Sequence, residues 1–210
     1  MEAGLACVAI MGTLAVGTIS PGPSFVLVVR TAVALSRADA VAAAIGMGLG
    51  GVGFAALALL GLQALLAQVG WAYAGLKLAG ALYLLYLASR LWRGARTPLV
   101  MADDRRLRAG GLRQSLVVGL ATQLSNPKTA IVYGSVFAAL LPPAPPGWLP
   151  AVLLPAIFAL ETGWYVVVAL AFSAARPRAA YARSKRWLDR IAGAVMGALG
   201  VRLIVETVRP

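Results

Sequence analysis

The chain contains no histidine and one cysteine, Cys7, among 210 residues. Without histidine it lacks the commonest general base at neutral pH. The two shortages together remove the usual Cys/His metal sites and any internal disulfide. Cys7 alone reads as a small buried apolar residue. Charge is scarce as well: Asp, Glu, Lys and Arg make up 12% of the sequence. A soluble domain carries about 25% charged residues. That deficit is incompatible with an ordinary water-facing surface.

Apolar residues take the place of the missing charge. They form 60% of the chain, and the mean hydropathy is +0.84. Six apolar runs cover 5–29, 40–66, 71–89, 114–140, 148–175 and 188–208. About 20 apolar residues suffice for a helix to cross a bilayer. Amphipathic periodicity is weak in these runs, as expected when lipid surrounds a helix. The expected fold is an all-α membrane protein: one transmembrane domain over 1–210 with six transmembrane helices and no large soluble domain. The first run does not resemble a secretory signal. Glu2 precedes it without Lys or Arg, and Pro21-Gly22-Pro23 interrupts it.

The net charge of +12 raises the question of nucleic acid. The placement of the basic residues answers it with membrane lipid instead. Arg30–Asp39 holds two of them, Arg90–Arg113 seven and Arg176–Arg190 six, or 15 of the 19 in the chain. The turns Ala67–Gly70 and Pro142–Pro146 hold none. The positive-inside rule puts the three basic connections in the cytoplasm and both termini in the periplasm. Anionic lipid headgroups are then the partners of the basic residues.

The halves of the chain echo each other. Ser20-Pro21-Gly22-Pro23-Ser24 lies in the first run, and Ser125-Asn126-Pro127-Lys128-Thr129 lies 105 residues later in the fourth. Lys77-Leu78-Ala79-Gly80-Ala81 in the third run pairs with Arg190-Ile191-Ala192-Gly193-Ala194 in the sixth. The repeats are 1–95 and 110–210, joined by a cytoplasmic connection over 90–113. The first and fourth runs cross in opposite directions, so the repeats are inverted. Inverted repeats with matched interrupted helices mark secondary transporters, with the site between the repeats.

The interruptions themselves carry chemistry. Asn126 is a good N-cap and Pro127 suits a first helical position; Ser20-Pro21 reads the same way. Pro127 cannot donate to the carbonyl of Gln123, nor Pro21 and Pro23 to those of Gly17 and Ile19. A restarted helix presents N–H groups that suit a carboxylate. The freed carbonyls suit an ammonium. The alternative is a pair of plain proline kinks.

Two charges lie deep in the runs: Lys128 in the fourth and Glu161 in the fifth. Each costs about 2.5–3.5 kcal/mol at that depth and is expected to face the interior. They form either a structural ion pair, or a substrate clamp and a proton carrier. Lys77 either joins them or snorkels to the outer surface. The glycines of Gly46-Met47-Gly48-Leu49-Gly50-Gly51-Val52-Gly53 suit close helix packing more than ligand binding.

These residues resemble a known family. Ser20-Pro21-Gly22-Pro23 is similar to the Pro-Gly-Pro motif of the LysE/RhtB family of amino-acid exporters. Asn126-Pro127-Lys128 resembles its second hallmark. Gly46-Met47-Gly48-Leu49-Gly50 and Lys77-Leu78-Ala79-Gly80-Ala81-Leu82-Tyr83-Leu84 look like its second- and third-helix patterns, and members often carry an acid where Glu161 falls. The resemblance implies an ion-driven exporter of amino acids or related metabolites in the bacterial inner membrane. It implies no cofactor, and a homodimer is compatible with it. Ser24 departs from the family, where many members have Asp or Asn. The wider superfamily includes metal exporters, but the scarcity of His, Cys and buried carboxylates disfavours a metal substrate.

The substrate-contacting set expected on this reading is Ser20, Pro21, Gly22, Pro23, Ser24, Gln123, Asn126, Pro127 and Lys128, with Glu161 carrying a proton. Two other classes compete. An intramembrane enzyme needs Ser20 or Ser24 within hydrogen-bond reach of Lys128. A non-transporting scaffold needs an interior with no polar cavity at the breaks.

Overall fold

The computed structural model describes residues 3–68, 111–142 and 144–173, with scattered residues between 75 and 93 and between 186 and 205. Lys77 lies outside the described residues. Helices account for the described chain apart from short breaks, and it contains no strand. In chain order the long helices are α1 (Ala3–Ile19), α2 (Pro23–Ala34), α3 (Arg37–Gln68), α4 (Gly111–Leu124), α5 (Pro127–Leu140) and α6 (Trp148–Phe172).

The apolar runs account for these lengths. Within α3, Arg37–Gly61 supplies 25 residues long and apolar enough to cross a membrane, and α6 supplies 25 more. α1 and α2 form a third such unit with a bend of 53° between them. The first run is therefore two helices, and the 114–140 run is also two, α4 and α5. Polar side chains inside the apolar helices return to their own backbone. Thr13, Thr18 and Thr31 each donate to the carbonyl four residues earlier, at 2.8, 2.8 and 2.9 Å. This satisfies the hydroxyls where water is absent.

Ser36 caps the start of α3: the Asp39 N–H donates to Ser36 Oγ at 3.0 Å, and the Ser36 hydroxyl donates to the Asp39 carboxylate at 2.5 Å. Asp39 Oδ1 also accepts from Ser115 Oγ at 2.9 Å, which ties the start of α3 to α4.

The glycines expected to serve packing do so. A Cβ on Gly46 would collide with the carbonyl of Leu116, and one on Gly119 with the carbonyl of Ala43. The backbones of α3 and α4 therefore touch. A Cβ on Gly50 would lie 2.7 Å from Gln123 Cβ, and one on Gly51 3.0 Å from both Glu161 Cγ and the Tyr133 hydroxyl. These two glycines leave room for the polar side chains described below. Gly46→Val should lower stability by about 1–3 kcal/mol through overpacking. Gly53→Ala meets only Leu124 Cδ2 at 3.5 Å and should change little. Thermal denaturation of the purified variants checks the contrast.

Two apolar clusters fill the interior. One gathers Ile10, Leu14, Val132, Val136, Phe137 and Leu140 with Leu149, Leu153 and Ile157. The other gathers Phe25, Val28, Met47, Tyr165, Val168 and Phe172. The breaks of α1/α2 and α4/α5 lie between them.

Candidate functional site

The two breaks differ in how they restart. At the second, Asn126 is the N-cap of α5 and Pro127 follows it, as expected. The Asn126 side chain accepts from the Lys128 N–H at 3.0 Å. The Gln123 carbonyl was expected to be left free. It accepts instead from the Asn126 N–H at 3.1 Å, because the chain tightens by one residue before the proline.

The first break corrects the sequence reading. α2 restarts at Gly22-Pro23, not at Ser20-Pro21. Gly22 is the N-cap, extended at φ −153° and ψ −168°, with no side-chain capping bond. The reason is the second proline. A residue before proline is held out of the helical region, so Gly22 cannot continue a helix begun at Pro21. The Ser20 hydroxyl is thus released from capping. It is buried at 2% exposure and has no hydrogen-bond partner.

Lys128 crosses from the second break to the first. Its Nζ donates to the carbonyl of Gly17 at 3.1 Å and to that of Ser20 at 2.6 Å. Gly17 is the carbonyl that Pro21 deprives of its helical partner. A cation thus caps the negative end of α1. Gly22 allows the approach: a Cβ there would lie 3.3 Å from Lys128 Cδ.

The neutral groups form a buried chain across the halves. Asn126 Nδ2 donates to Ser24 Oγ at 2.9 Å, and Ser24 Oγ donates to Gln123 Oε1 at 2.6 Å. Gln123 Nε2 donates to Glu161 Oε2 at 3.2 Å. Glu161 Oε1 accepts from the Tyr133 hydroxyl at 2.9 Å and from Thr18 Oγ1 at 3.1 Å. Ser24, Gln123, Asn126 and Glu161 are all buried. An ionised carboxylate in such a place needs donors on both oxygens, and it has them.

These groups surround one small cavity. Ser20, Gly22, Ser24, Gln123, Asn126, Lys128 and Glu161 all line it. Its volume is about 20 Å³, room for about one water molecule. Pro21, Pro23 and Pro127 shape the breaks without lining it. A polar cavity at the breaks is what a sealed scaffold would lack. The Ser–Lys pair that an enzyme would need is not formed. Ser20 Oγ has no partner, Ser24 Oγ bonds Gln123 and Asn126, and the Lys128 bonds described above go to carbonyls.

Sequence reasoning missed Thr18, Thr129, Tyr133 and Tyr165, which share this lining. Helical spacing carried a signal for them. Thr129 and Tyr133 are four apart on α5, and so are Glu161 and Tyr165 on α6. Each pair shares a helix face.

Pro127→Ala should let α4 run into α5, since the residue before alanine is free to be helical. That would carry Lys128 away from α1. On the exporter expectation drawn from the sequence, flux should fall about tenfold or more with membrane insertion unchanged. Immunoblots of the membrane fraction and flux in the same cells check this, and normal flux would mean that the break is only a kink.

Known proteins give independent placement. The LysE type translocator family matches residues 15–207. A threonine efflux protein of Salmonella typhimurium is 34% identical over 199 residues, covering 91% of this chain and 93% of its own. One from Escherichia coli K12 is 34% identical over 193 residues with the same coverage. The uncharacterized membrane protein YahN of Escherichia coli K12 is 30% identical over 201 residues, covering 94% and 88%. No solved structure matches. By the family match and by these identities over nine-tenths of its length, the chain belongs to the LysE type translocator family.

Proposed function

We propose that this protein exports a small zwitterionic amino acid, with threonine the first candidate, across the bacterial inner membrane in exchange for protons. One observation carries the reading: Lys128 reaches from one broken helix to two carbonyls at the end of α1, Gly17 and Ser20, beside a buried carboxylate and an unpartnered buried hydroxyl. A substrate carboxylate attracts the Lys128 ammonium. The carbonyls of Gly17 and Ser20 then take the substrate ammonium, and the Ser20 hydroxyl gains a partner. The water-sized cavity is a closed state, so loading requires the broken helices to move.

Thr18 supports the proton step. Its single hydroxyl proton lies between two acceptors, the Leu14 carbonyl at 2.8 Å and Glu161 Oε1 at 3.1 Å. Thr18 can donate to an ionised Glu161. It can also accept from a protonated one while its own proton rests on Leu14. The relatives named threonine efflux proteins support the substrate class.

The same reading keeps six spans in two inverted repeats with both termini in the periplasm. Reporter fusions at Gly110 and Gly147 should give opposite sidedness, and equal sidedness overturns the inversion. The test of function is efflux from cells loaded with dipeptides. Threonine released from a threonine dipeptide should leave faster than from cells lacking the protein. Equal rates for every amino acid tried would sink the proposal.

A further inference from the structure

The breaks separate two cavities of unequal size. The central one is bounded by α1 and α5 through Leu14, Thr18, Thr129 and Val132. The other has a volume of about 450 Å³ and lies between α2, α4 and the second break. Pro23, Leu27 and Arg30 line it from one face of α2, and Thr122, Ser125 and Asn126 are among the residues facing them. Its size falls within the range of small-molecule sites. Asn126 belongs to both cavities.

Asn126, the residue shared by both linings, is tied to Ser24 and through it to Gln123 of the central cavity by hydrogen bonds of 2.9 and 2.6 Å, so a polar layer lies on this side of the central cavity. The opposite side of the central cavity is closed quite differently. From Val132 to Leu140 the apolar cluster continues along α5 through Val136 and Phe137, with Ile10 of α1 buried beside it. Eight residues of helix make that seal about 12 Å thick. Parting it would expose apolar surface throughout. Parting the polar layer only exchanges hydrogen bonds, and a zwitterion or water can supply the replacements.

Direction follows from the arms. α2 leads towards Arg37, and α4 begins at Gly111, just before Arg113. Both arms of the larger cavity therefore run to the basic connections that the positive-inside rule puts in the cytoplasm.

We infer that the larger cavity is a loading site where the exported solute first docks from the cytoplasm, with Arg30 receiving its carboxylate and Ser24, Gln123 and Asn126 forming the gate to the central cavity. The guanidinium fork suits a carboxylate bidentately. The nature of the solute rests on the export reading above, and the sidedness on the topology proposed with it; the gate rests on neither.

Cys7 is the only cysteine, so Cys7→Ala gives a clean background for single-cysteine labelling. The reagent is a membrane-impermeant methanethiosulfonate, applied to inside-out and right-side-out vesicles holding the full chain. Ser125→Cys should react at least tenfold faster from the cytoplasmic side. Thr129→Cys should react slowly from both sides, and adding Ser24→Ala should raise its cytoplasmic rate about tenfold. Ser24→Thr keeps a hydroxyl and should leave the rate low. Faster labelling of Ser125→Cys from the periplasmic side overturns the inference. So does a Thr129→Cys rate that ignores Ser24→Ala in protein that still purifies as a single species. The sidedness arm decides the matter even where Ser24→Ala fails to fold. Threonine should slow cytoplasmic labelling of Ser125→Cys and threonine amide should not, with the difference lost in Arg30→Gln. Equal protection by both removes Arg30 from the loading site. If sidedness holds while no amino acid effluxes, the export reading fails and the gate stands. Efflux with reversed sidedness gives the converse.

Discussion

Glu161→Gln should abolish uphill export while substrate exchange continues. A membrane potential of about 100 mV is worth about 2.3 kcal/mol per proton, or roughly a 50-fold gradient of exported solute. In the variant that ratio should collapse to about one. The substitution keeps size and one acceptor oxygen, so the Thr18 and Tyr133 donors can still be met. Its new amide group faces the Gln123 amide, which must turn over to accommodate it. That rearrangement puts about one hydrogen bond at risk, about 0.5–1.5 kcal/mol, too little to unfold the protein. Loss of pumping with intact folding would therefore report loss of titration. The measurement is paired: gradient-driven efflux, and counterflow of labelled against unlabelled substrate in vesicles without a gradient. A variant that still pumps uphill at the normal rate would leave Glu161 a structural link between α1, α4, α5 and α6.

Lys128→Met should eliminate transport and exchange together, with a modest loss of stability. Two effects oppose each other, and the second is the larger. Methionine relieves the insertion cost of a charge at this depth, about 2.5–3.5 kcal/mol. It also removes the charge-assisted bonds to the Gly17 and Ser20 carbonyls, at about 1.5–3 kcal/mol each, and leaves the end of α1 without its cation. The melting temperature should thus fall by no more than several degrees. Exchange should drop at least 100-fold, because the substrate carboxylate loses its counter-charge. The loss of exchange distinguishes this variant from Glu161→Gln. Normal exchange with a large fall in melting temperature would mean that Lys128 is only a helix cap.

Much of this architecture is local in origin. Composition and run length settle that the chain is a helical membrane protein, because lipid admits no unpaired backbone. Pro127 after Asn126 marks the second break to the residue, since cap and proline act on their immediate neighbours. The first break was legible in place but not in register. Two prolines compete there, and the later one holds Gly22 extended and delays the restart. Lys128 and Glu161 stood out because a charge in an apolar run has few reasons to exist.

Partnership was decided elsewhere. Nothing local says that Lys128 ends on carbonyls 108 and 111 residues away, or that Ser24 meets Gln123 across 99. Nor does spacing say that Tyr133 and Thr18 share Glu161. These contacts exist because glycines let α3 and α4 approach backbone to backbone and leave space for Gln123 and Glu161 beside Gly50 and Gly51. Residue types by themselves determined that this protein crosses a membrane with two broken helices and two deep charges. Only the tertiary structure decided which polar groups face each other, because proline and hydropathy act along the chain while close approach is set between helices.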